Sequence, residues 1–340
     1  MMARMSGRRL NALWMLAVVA SLVSGGCGGD SPASPSPPPP APQLRLVCPP
    51  AQAGVSFRGQ PTAISWPTPT PLGGTPPIQT SCTPASGSAF SVGVTTVNCT
   101  ATDAGSSQTA SCSLTVTVTR PPQISVTRFM AFGDSITWGQ DSPPAGFLAF
   151  PIPSPSYSYP TQLLSLLGVR YPDQTITMAN EGWPGEVIAD GLSRLPSALA
   201  FNTPEVLLLL DGANDLLGNP SSATTQYIAT KLRDMVRAAK GRIPTIKVLL
   251  ATFPPQYHGT IPYDRGKGAE FVPELNQRIA AVAQSEGATL VDLYAAFPAG
   301  GKPYIGVDGL HPTEQGFTLM AQTFAKIIQE KFEAKATAGR

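Results

Sequence analysis

Two continuous apolar runs, Val206–Leu210 and residues 248–250, constrain the fold of this chain most strongly. A strand that is apolar at every position is typical of a parallel sheet covered on both faces. Amphipathic helical stretches, such as residues 270–284 and Glu314–Phe332, lie between or after such runs. The predicted strands are residues 128–132, 175–179, 205–210, 246–251 and 289–293. Residues 128–340 are therefore predicted to form an α/β domain with a doubly wound, mainly parallel five-stranded sheet.

The distribution of charge separates this domain from the preceding chain. Residues 31–127 contain only four charged residues, Arg45, Arg58, Asp103 and Arg120, whereas residues 128–340 contain 36. After Cys27 the chain has 20 Lys and Arg against 21 Asp and Glu. Because this balance is nearly neutral, no basic surface for nucleic acid is expected.

The N-terminus has the pattern of an export signal. Arg4, Arg8 and Arg9 precede an apolar stretch of 14 residues, which as a helix would span about 21 Å, less than the roughly 30 Å of a bilayer core. Residues 1–27 are therefore predicted to be a signal peptide. The small residues before Cys27 resemble a bacterial lipoprotein signal, which implies an acylated Cys27 and an exported, membrane-anchored cell-envelope lipoprotein. Cleavage without a lipid and an uncleaved anchor are the alternatives. Residues 28–43 follow as a proline-rich linker.

Residues 44–120 are predicted to form a small all-β sandwich. Leu114, Val116 and Val118 alternate with polar residues, as in a strand with one buried face. The cysteines of this region are Cys48, Cys82, Cys99 and Cys112. Four cysteines in an exported domain predict two disulfides, and the spacings lack the close pairs of zinc sites. Of the three connectivities we favour Cys82–Cys99, which can join neighbouring strands, with Cys48–Cys112, which can tie the domain ends together.

The stretch from Cys82 to Asp103, followed by Ser111-Cys112-Ser113-Leu114, resembles the HYR module, an immunoglobulin-like repeat of extracellular proteins. The resemblance implies a spacer or adhesion role, and ligand binding is the alternative. Residues 121–127 are predicted to link this module to the α/β domain.

Polar motifs follow the predicted strands, where a doubly wound sheet binds its ligands. They are Gly133-Asp134-Ser135, Asn180-Glu181-Gly182-Trp183-Pro184-Gly185-Glu186, Gly212-Ala213-Asn214-Asp215 and, near the C-terminus, Asp308-Gly309-Leu310-His311-Pro312. A serine at a strand-to-helix turn lies near N–H groups that can hold an oxyanion, but it needs a base. His311 is the candidate base, because Asp308 can orient its imidazole. The only other histidine, His258, has no such neighbour and is predicted to lie in a surface loop.

Over roughly residues 128–335 these four motifs together resemble the SGNH/GDSL hydrolase family. The resemblance implies a flavodoxin-like α/β fold and a serine esterase that hydrolyses carboxylic esters. It implies Ser135 as the nucleophile, His311 as general base and acid, and Asp308 as the residue that orients the histidine.

The same resemblance implies an oxyanion hole formed by the N–H groups of Ser135 and Gly185 and the side chain of Asn214. Gly185 is chosen over Gly182 because it lies five residues after Asn180. Trp183 is a candidate wall of the acyl pocket, with a packing role as the alternative.

No cofactor or metal is expected, because the sequence lacks P-loop, Gly-x-Gly-x-x-Gly and metal-ligand patterns. The expected partner is an ester substrate: a small acyl ester, an acetylated glycan or a lipid. Two other functions stay open. One is acyl transfer at the same site, and the other is a surface adhesion or glycan-binding lipoprotein with an idle hydrolase fold.

Overall fold

The computed structural model describes residues 42–140, 156–260 and 264–334. The predicted signal peptide with Cys27, and all but the last two residues of the predicted linker 28–43, lie outside these residues. Within the described ranges, no helix is both long and apolar enough to cross a membrane. The described chain consists of an all-β region followed by an α/β region.

The all-β region is built around two long antiparallel strands, β7 and β8. Its strands are β1 (Arg45–Val47), β2 (Gln52–Val55), β3 (Thr62–Ala63), β4 (Thr70–Leu72), β5 (Ile78–Thr83), β6 (Ala89–Phe90), β7 (Gly93–Asp103) and β8 (Thr109–Thr119). Strands β2, β8, β7 and β5 form one sheet in that order, while β1 pairs with β4 and β3 pairs with β6. The alternation predicted for β8 is confirmed, because Leu114, Val116 and Val118 are all buried in the core of this region.

Two disulfides cross-link the all-β region. Cys82 on β5 and Cys99 on β7 face each other across an antiparallel strand pair and are bonded. Cys48, which directly follows β1, is bonded to Cys112 on β8. These are the two pairs favoured from the sequence, and they join residues 17 and 64 positions apart.

The α/β region has a sheet of five parallel strands in the order β10-β9-β11-β12-β13. The strands are β9 (Arg128–Gly133), β10 (Thr177–Gly182), β11 (Val206–Leu210), β12 (Lys247–Ala251) and β13 (Thr289–Val291). All five residues of β11 are buried, so helices cover both faces of the sheet, as the continuous apolar run predicts. The chain order reverses between β9 and β11, and ligands bind at the carboxyl ends of the strands beside such a switch point.

Eight helices accompany this sheet in the described residues. They are α1 (Ser135–Trp138), α2 (Tyr159–Arg170), α3 (Ile188–Asn202), α4 (Ala213–Gly218), α5 (Ser222–Arg242), α6 (Val272–Glu286), α7 (Leu293–Ala296) and α8 (Glu314–Phe332). Helix α2 packs against α8, and α5 packs against both α3 and α6. The apolar stripe predicted for α8 is buried, with Phe317, Met320 and Phe324 fully inside the core.

Strand β10 lies further along the chain than the sequence indicates. The prediction ended it at residue 179, but Asn180, Glu181 and Gly182 continue the parallel pairing with β9. A polar end to this strand is tolerated because β10 is an edge strand and the carboxylate of Glu181 forms an ion pair with Arg194. The second motif therefore begins inside the sheet rather than after it.

Residues 121–127, predicted to be a linker, lie along the α/β region. Ile124 and Val126 are part of its hydrophobic core. The N–H of Ser125 donates to the carbonyl oxygen of Phe332 at 2.9 Å, and the side chain of Gln174 makes two hydrogen bonds to the backbone of Ile124. This segment therefore fixes the chain at the amino-terminal end of β9.

Candidate active site

Ser135 lies at the turn between β9 and α1, at the carboxyl end of the sheet. The turn needs glycine at position 133, because a Cβ there would lie 1.7 Å from the carbonyl oxygen of Leu210. Asp134 caps α1, since its Oδ1 accepts a hydrogen bond from the N–H of Ile136 at 3.0 Å. Ser135 is thereby held at the first position of the helix, with 3% of its surface exposed.

His311 lies between Ser135 and Asp308. Its Nε2 is 2.9 Å from Ser135 Oγ, and its Nδ1 is 2.6 Å from Asp308 Oδ2. Asp308 Oδ1 accepts hydrogen bonds from the N–H groups of Leu310 and His311, both at 3.0 Å. Although burial opposes ionisation, the hydrogen bond and the charge of His311 hold the pKa of Asp308 below its ordinary value. The structure thus brings together the three residues that the sequence singled out, from two ends of the domain.

His258 lies on the segment that borders the Asp308 loop. Its side chain is 68% exposed, so the prediction of a surface position is confirmed. The prediction that no carboxylate accompanies it is wrong. Asp264, six residues later, turns back so that its Oδ2 lies 2.7 Å from His258 Nδ1.

Two backbone N–H groups at this edge of the sheet have no acceptor among the described residues. Those of Ser135 and Gly185 donate no hydrogen bond to any described residue. Gly185 lies in an exposed turn after β10, has a φ of +80° and faces open space. Two hydrogen bonds form the turn: the N–H of Trp183 donates to Gly133 O at 2.8 Å, and the N–H of Glu186 donates to Trp183 O at 3.1 Å.

The neighbouring glycine, Gly182, is differently placed. Its N–H donates to Asn180 Oδ1 at 3.0 Å, and a Cβ on it would lie 2.1 Å from the backbone nitrogen of Trp138. Asn214, at the start of α4, donates from Nδ2 to the carbonyl oxygen of Glu186 at 2.9 Å. One such bond leaves the second amide N–H of Asn214 available.

Two buried carboxyl groups to which the sequence assigned no role lie beneath these turns. Asp134 Oδ2 accepts a hydrogen bond from the N–H of Ala213 at 3.0 Å, which ties the Ser135 turn to the Asn214 turn. Burial raises the pKa of Asp134 to about 6. Asp211 bonds only to its own neighbour, Gly212, and its Oδ2 has no partner among the described residues. Burial and the charge of Asp134 raise the pKa of Asp211 well above its ordinary value. The sequence signal for both is an acidic residue shortly after a buried strand.

In the part of the chain that the structure describes, no group of three or more His, Cys, Asp and Glu side chains is arranged to hold a metal ion. The chemistry available at the Ser135 turn is that of a buried hydroxyl beside an imidazole, a carboxylate and several N–H donors.

Both regions of the chain are similar to known proteins. The model of the GDSL-like lipase/acylhydrolase family matches residues 131–319, and the HYR domain model matches residues 45–118. Esterase TesA of Pseudomonas aeruginosa is 26% identical over 151 residues, which are 44% of this chain and 69% of that protein.

Solved structures show the same α/β fold. A lipase/acylhydrolase from Enterococcus faecalis has a TM-score of 0.50 at 23% identity, covering 62% of this chain and 100% of that one. Est24, a carbohydrate acetylesterase from Sinorhizobium meliloti, has a TM-score of 0.50 at 21% identity, and the match covers 60% of this chain and 99% of Est24. The fold expected from the four motifs and the HYR resemblance are both confirmed.

Proposed function

Because the chain belongs to the GDSL-like lipase/acylhydrolase family and is a carboxylic ester hydrolase, we propose that Ser135, His311 and Asp308 form its catalytic triad. One observation carries the proposal: the ring of His311 lies 2.9 Å from Ser135 Oγ through Nε2 and 2.6 Å from Asp308 Oδ2 through Nδ1. All three residues are at most 3% exposed, so solvent competes little for these hydrogen bonds.

In the proposed reaction, His311 Nε2 removes the proton of Ser135 Oγ while Oγ attacks the carbonyl carbon of the ester. The imidazolium keeps its Nδ1–H directed at the Asp308 carboxylate and gives the Nε2 proton to the alkoxy oxygen. The alcohol leaves, and the acyl group stays on Ser135. Water then attacks the carbonyl carbon of this acyl group as His311 Nε2 removes a proton from the water. The imidazolium returns this proton to Ser135 Oγ as the bond between Oγ and the acyl carbon breaks, which releases the acid and restores the serine.

The tetrahedral intermediates carry a negative charge that needs hydrogen-bond donors. We assign this role to the N–H groups of Ser135 and Gly185 and to the amide of Asn214. Neither N–H has a competing acceptor among the described residues, and the amide has one donor left. Each such donor is worth on the order of 10²–10³ in kcat.

The substrate classes we propose are small acyl esters, acetylated glycans and lipids, with Trp183 as a wall of the acyl pocket. Trp183 is 60% exposed at the start of the Gly185 turn, and its N–H donates to the carbonyl oxygen of Gly133, two residues before Ser135. A series of p-nitrophenyl esters from acetate to laurate separates these classes: kcat/KM that falls with chain length favours acetyl esters, and kcat/KM that rises favours lipids. Adding an acceptor alcohol to the same assay measures acyl transfer against hydrolysis.

The triad is tested by Ser135→Ala and His311→Ala in p-nitrophenyl acetate hydrolysis. Each variant is expected to lose about 10⁴-fold or more in kcat. His258→Ala is the matched control, because it removes the other histidine, which pairs with Asp264 on the surface. Wild-type turnover by Ser135→Ala would contradict the proposal.

We also propose that the enzyme acts outside the cytoplasm, attached to a membrane through Cys27. The two disulfides and the HYR domain support export, since disulfides persist in oxidising compartments. Membrane fractionation with mass spectrometry of the mature N-terminus tests the anchor. We expect Cys27→Ser to move to the soluble exported fraction with its esterase activity intact, and a wild-type protein that is already soluble there would contradict the anchor.

A further inference from the structure

Arg194, on α3, lies at the centre of contacts that reach several parts of the active site. Its guanidinium makes two hydrogen bonds to the carboxylate of Glu186, at 2.7 and 2.8 Å. It makes two more to Glu181, one to the side chain at 3.1 Å and one to the carbonyl oxygen at 3.0 Å. The same group lies 4.1 Å from the ring centre of Phe132 and 5.5 Å from that of Trp183.

These contacts surround the turn that carries Gly185. Trp183 begins the turn and Glu186 ends it, so Arg194 contacts the side chains on both sides of the glycine. The carbonyl oxygen of Glu186 is also the acceptor that orients the amide of Asn214. One cation therefore contacts the residues that position two of the three proposed oxyanion donors.

The Gly185 turn needs such support. Gly185 is exposed and, among the described residues, its N–H is unbonded and no heavy atom beyond its two chain neighbours lies within 4 Å of its Cβ position. Preorganised donors stabilise a transition state only when they are already in place. The Arg194–Glu186 pair is also unlike a surface ion pair, because the two side chains are only 18% and 5% exposed and meet in bidentate geometry.

We propose that Arg194, acting through Glu186, is a positioning residue that holds Gly185 and Asn214 in the geometry that binds the oxyanion. The ring centre of Trp183 lies 5.5 Å from the same guanidinium, so one side chain contacts both the proposed acyl-pocket wall and the residues that position two of the oxyanion donors. The inference rests on the proposed triad and oxyanion hole, and it concerns a residue that touches neither the substrate nor the reacting atoms.

The test compares R194M and the paired variant R194M/E186Q with the wild-type enzyme. R194M alone leaves the buried Glu186 carboxylate without its partner, and this variant can fail to fold for that reason. The paired variant removes both charges, so the proposal can still be tested with it. We expect kcat per active site, counted with a p-nitrophenyl phosphonate, to fall about 100-fold while KM changes less than about threefold. Phenylboronic acid, which forms a tetrahedral adduct on the serine, should bind more weakly by a similar factor.

The matched control is R237M. Arg237 makes the same bidentate contact, at 3.0 and 2.8 Å, with Glu286 of α6, and it takes no part in the active site. A role in folding alone would lower the melting temperature and the number of titrated sites while leaving kcat per site unchanged. The titration also separates this inference from the triad: if the phosphonate still labels Ser135→Ala, the proposed function itself fails.

A double-mutant cycle with Asn214→Ala adds an independent measurement. If Arg194 acts through the oxyanion donors, the losses in R194M/E186Q and N214A should not multiply. The kcat per site of the combined variant R194M/E186Q/N214A should then be no more than about tenfold below that of the less active of these two variants. Fully additive losses, an effect confined to KM, or kcat per site within about threefold of wild type would each overturn the proposal.

Discussion

Replacing Asp308 by asparagine should separate the catalytic role of this carboxylate from its structural role. Asp308 Oδ1 accepts the N–H groups of Leu310 and His311, while Oδ2 faces His311 Nδ1. An asparagine oxygen can keep both backbone hydrogen bonds, but its NH₂ group then faces Nδ1. The imidazole must therefore accept a hydrogen bond at Nδ1 and carry its own proton on Nε2. With Nε2 already protonated, His311 can no longer remove the proton of Ser135.

The two effects differ in size. The wrong tautomer and the missing charge should reduce kcat about 10⁴-fold, which corresponds to about 5 kcal/mol of transition-state stabilisation. Folding should change little, by about 1–2 kcal/mol, because the N–H groups of Leu310 and His311 keep their acceptor. Asp308→Ala removes the same charge and also strands the two N–H groups, so it should cost roughly 2–6 kcal/mol in the free energy of unfolding.

The assay is p-nitrophenyl acetate hydrolysis normalised to titrated active sites, with urea unfolding measured on the same samples. We expect both variants to be almost inactive and only Asp308→Ala to be strongly destabilised. An Asp308→Asn enzyme within about tenfold of wild-type kcat would refute the role assigned to the carboxylate. Equal stability of the two variants would refute the role assigned to its backbone hydrogen bonds.

Three further predictions test other parts of the molecule. Cys48→Ser/Cys112→Ser removes a disulfide between residues 64 positions apart and should lower the free energy of unfolding of the all-β region by about 4 kcal/mol, as measured by urea unfolding. The kcat of the esterase should not change, because residues 128–340 contain no cysteine. Gly185→Ala keeps the backbone N–H and should meet no clash with the described residues, but it should strain a backbone with φ of +80° by roughly 1–2 kcal/mol; urea unfolding identical to that of the wild type would contradict this left-handed backbone. Asp134 has a pKa of about 6 in the folded protein against an ordinary 3.8, so it binds its proton more tightly when the protein is folded. Up to about 3 kcal/mol of the free energy of unfolding is therefore lost as the pH rises from about 4 to about 6. Asp134→Asn should make the free energy of unfolding, measured over this pH range, less dependent on pH.

Parts of the fold that depend on local pattern could be predicted from the sequence. The buried run of β11 was predicted to within one residue, because a central parallel strand is apolar throughout. Strand β10 was misplaced, because Asn180 and Glu181 have the composition of a loop and only their pairing with β9 and the ion pair with Arg194 make them strand residues. The parallel pairing of β2 with β8 joins the two ends of the all-β region, and no local signal indicates it.

The same distinction applies to the site. Ser135, His311 and Asp308 could be nominated because each stands in a short motif and the chain has only two histidines. Arg194 could not, because it lies within α3 without a motif of its own. Its contact with Glu186 depends on how that helix packs over β9, which is a property of the tertiary structure.

The all-β region is joined to the α/β region at the end of β9 opposite the Ser135 turn. Residues 121–127 join the α/β region at the start of β9, where Thr127 donates its N–H to the carboxylate of Glu205 at 2.8 Å. The turn with Ser135 follows the other end of β9, and five residue steps of about 3.3 Å place these ends about 17 Å apart. Near the joined end, the N–H of Arg58 also donates to Asp173 just after α2, so the HYR domain contacts the enzyme away from its catalytic turns. Because these described contacts lie at the end of β9 opposite Ser135, we expect changes to the disulfides of the HYR domain to leave turnover intact.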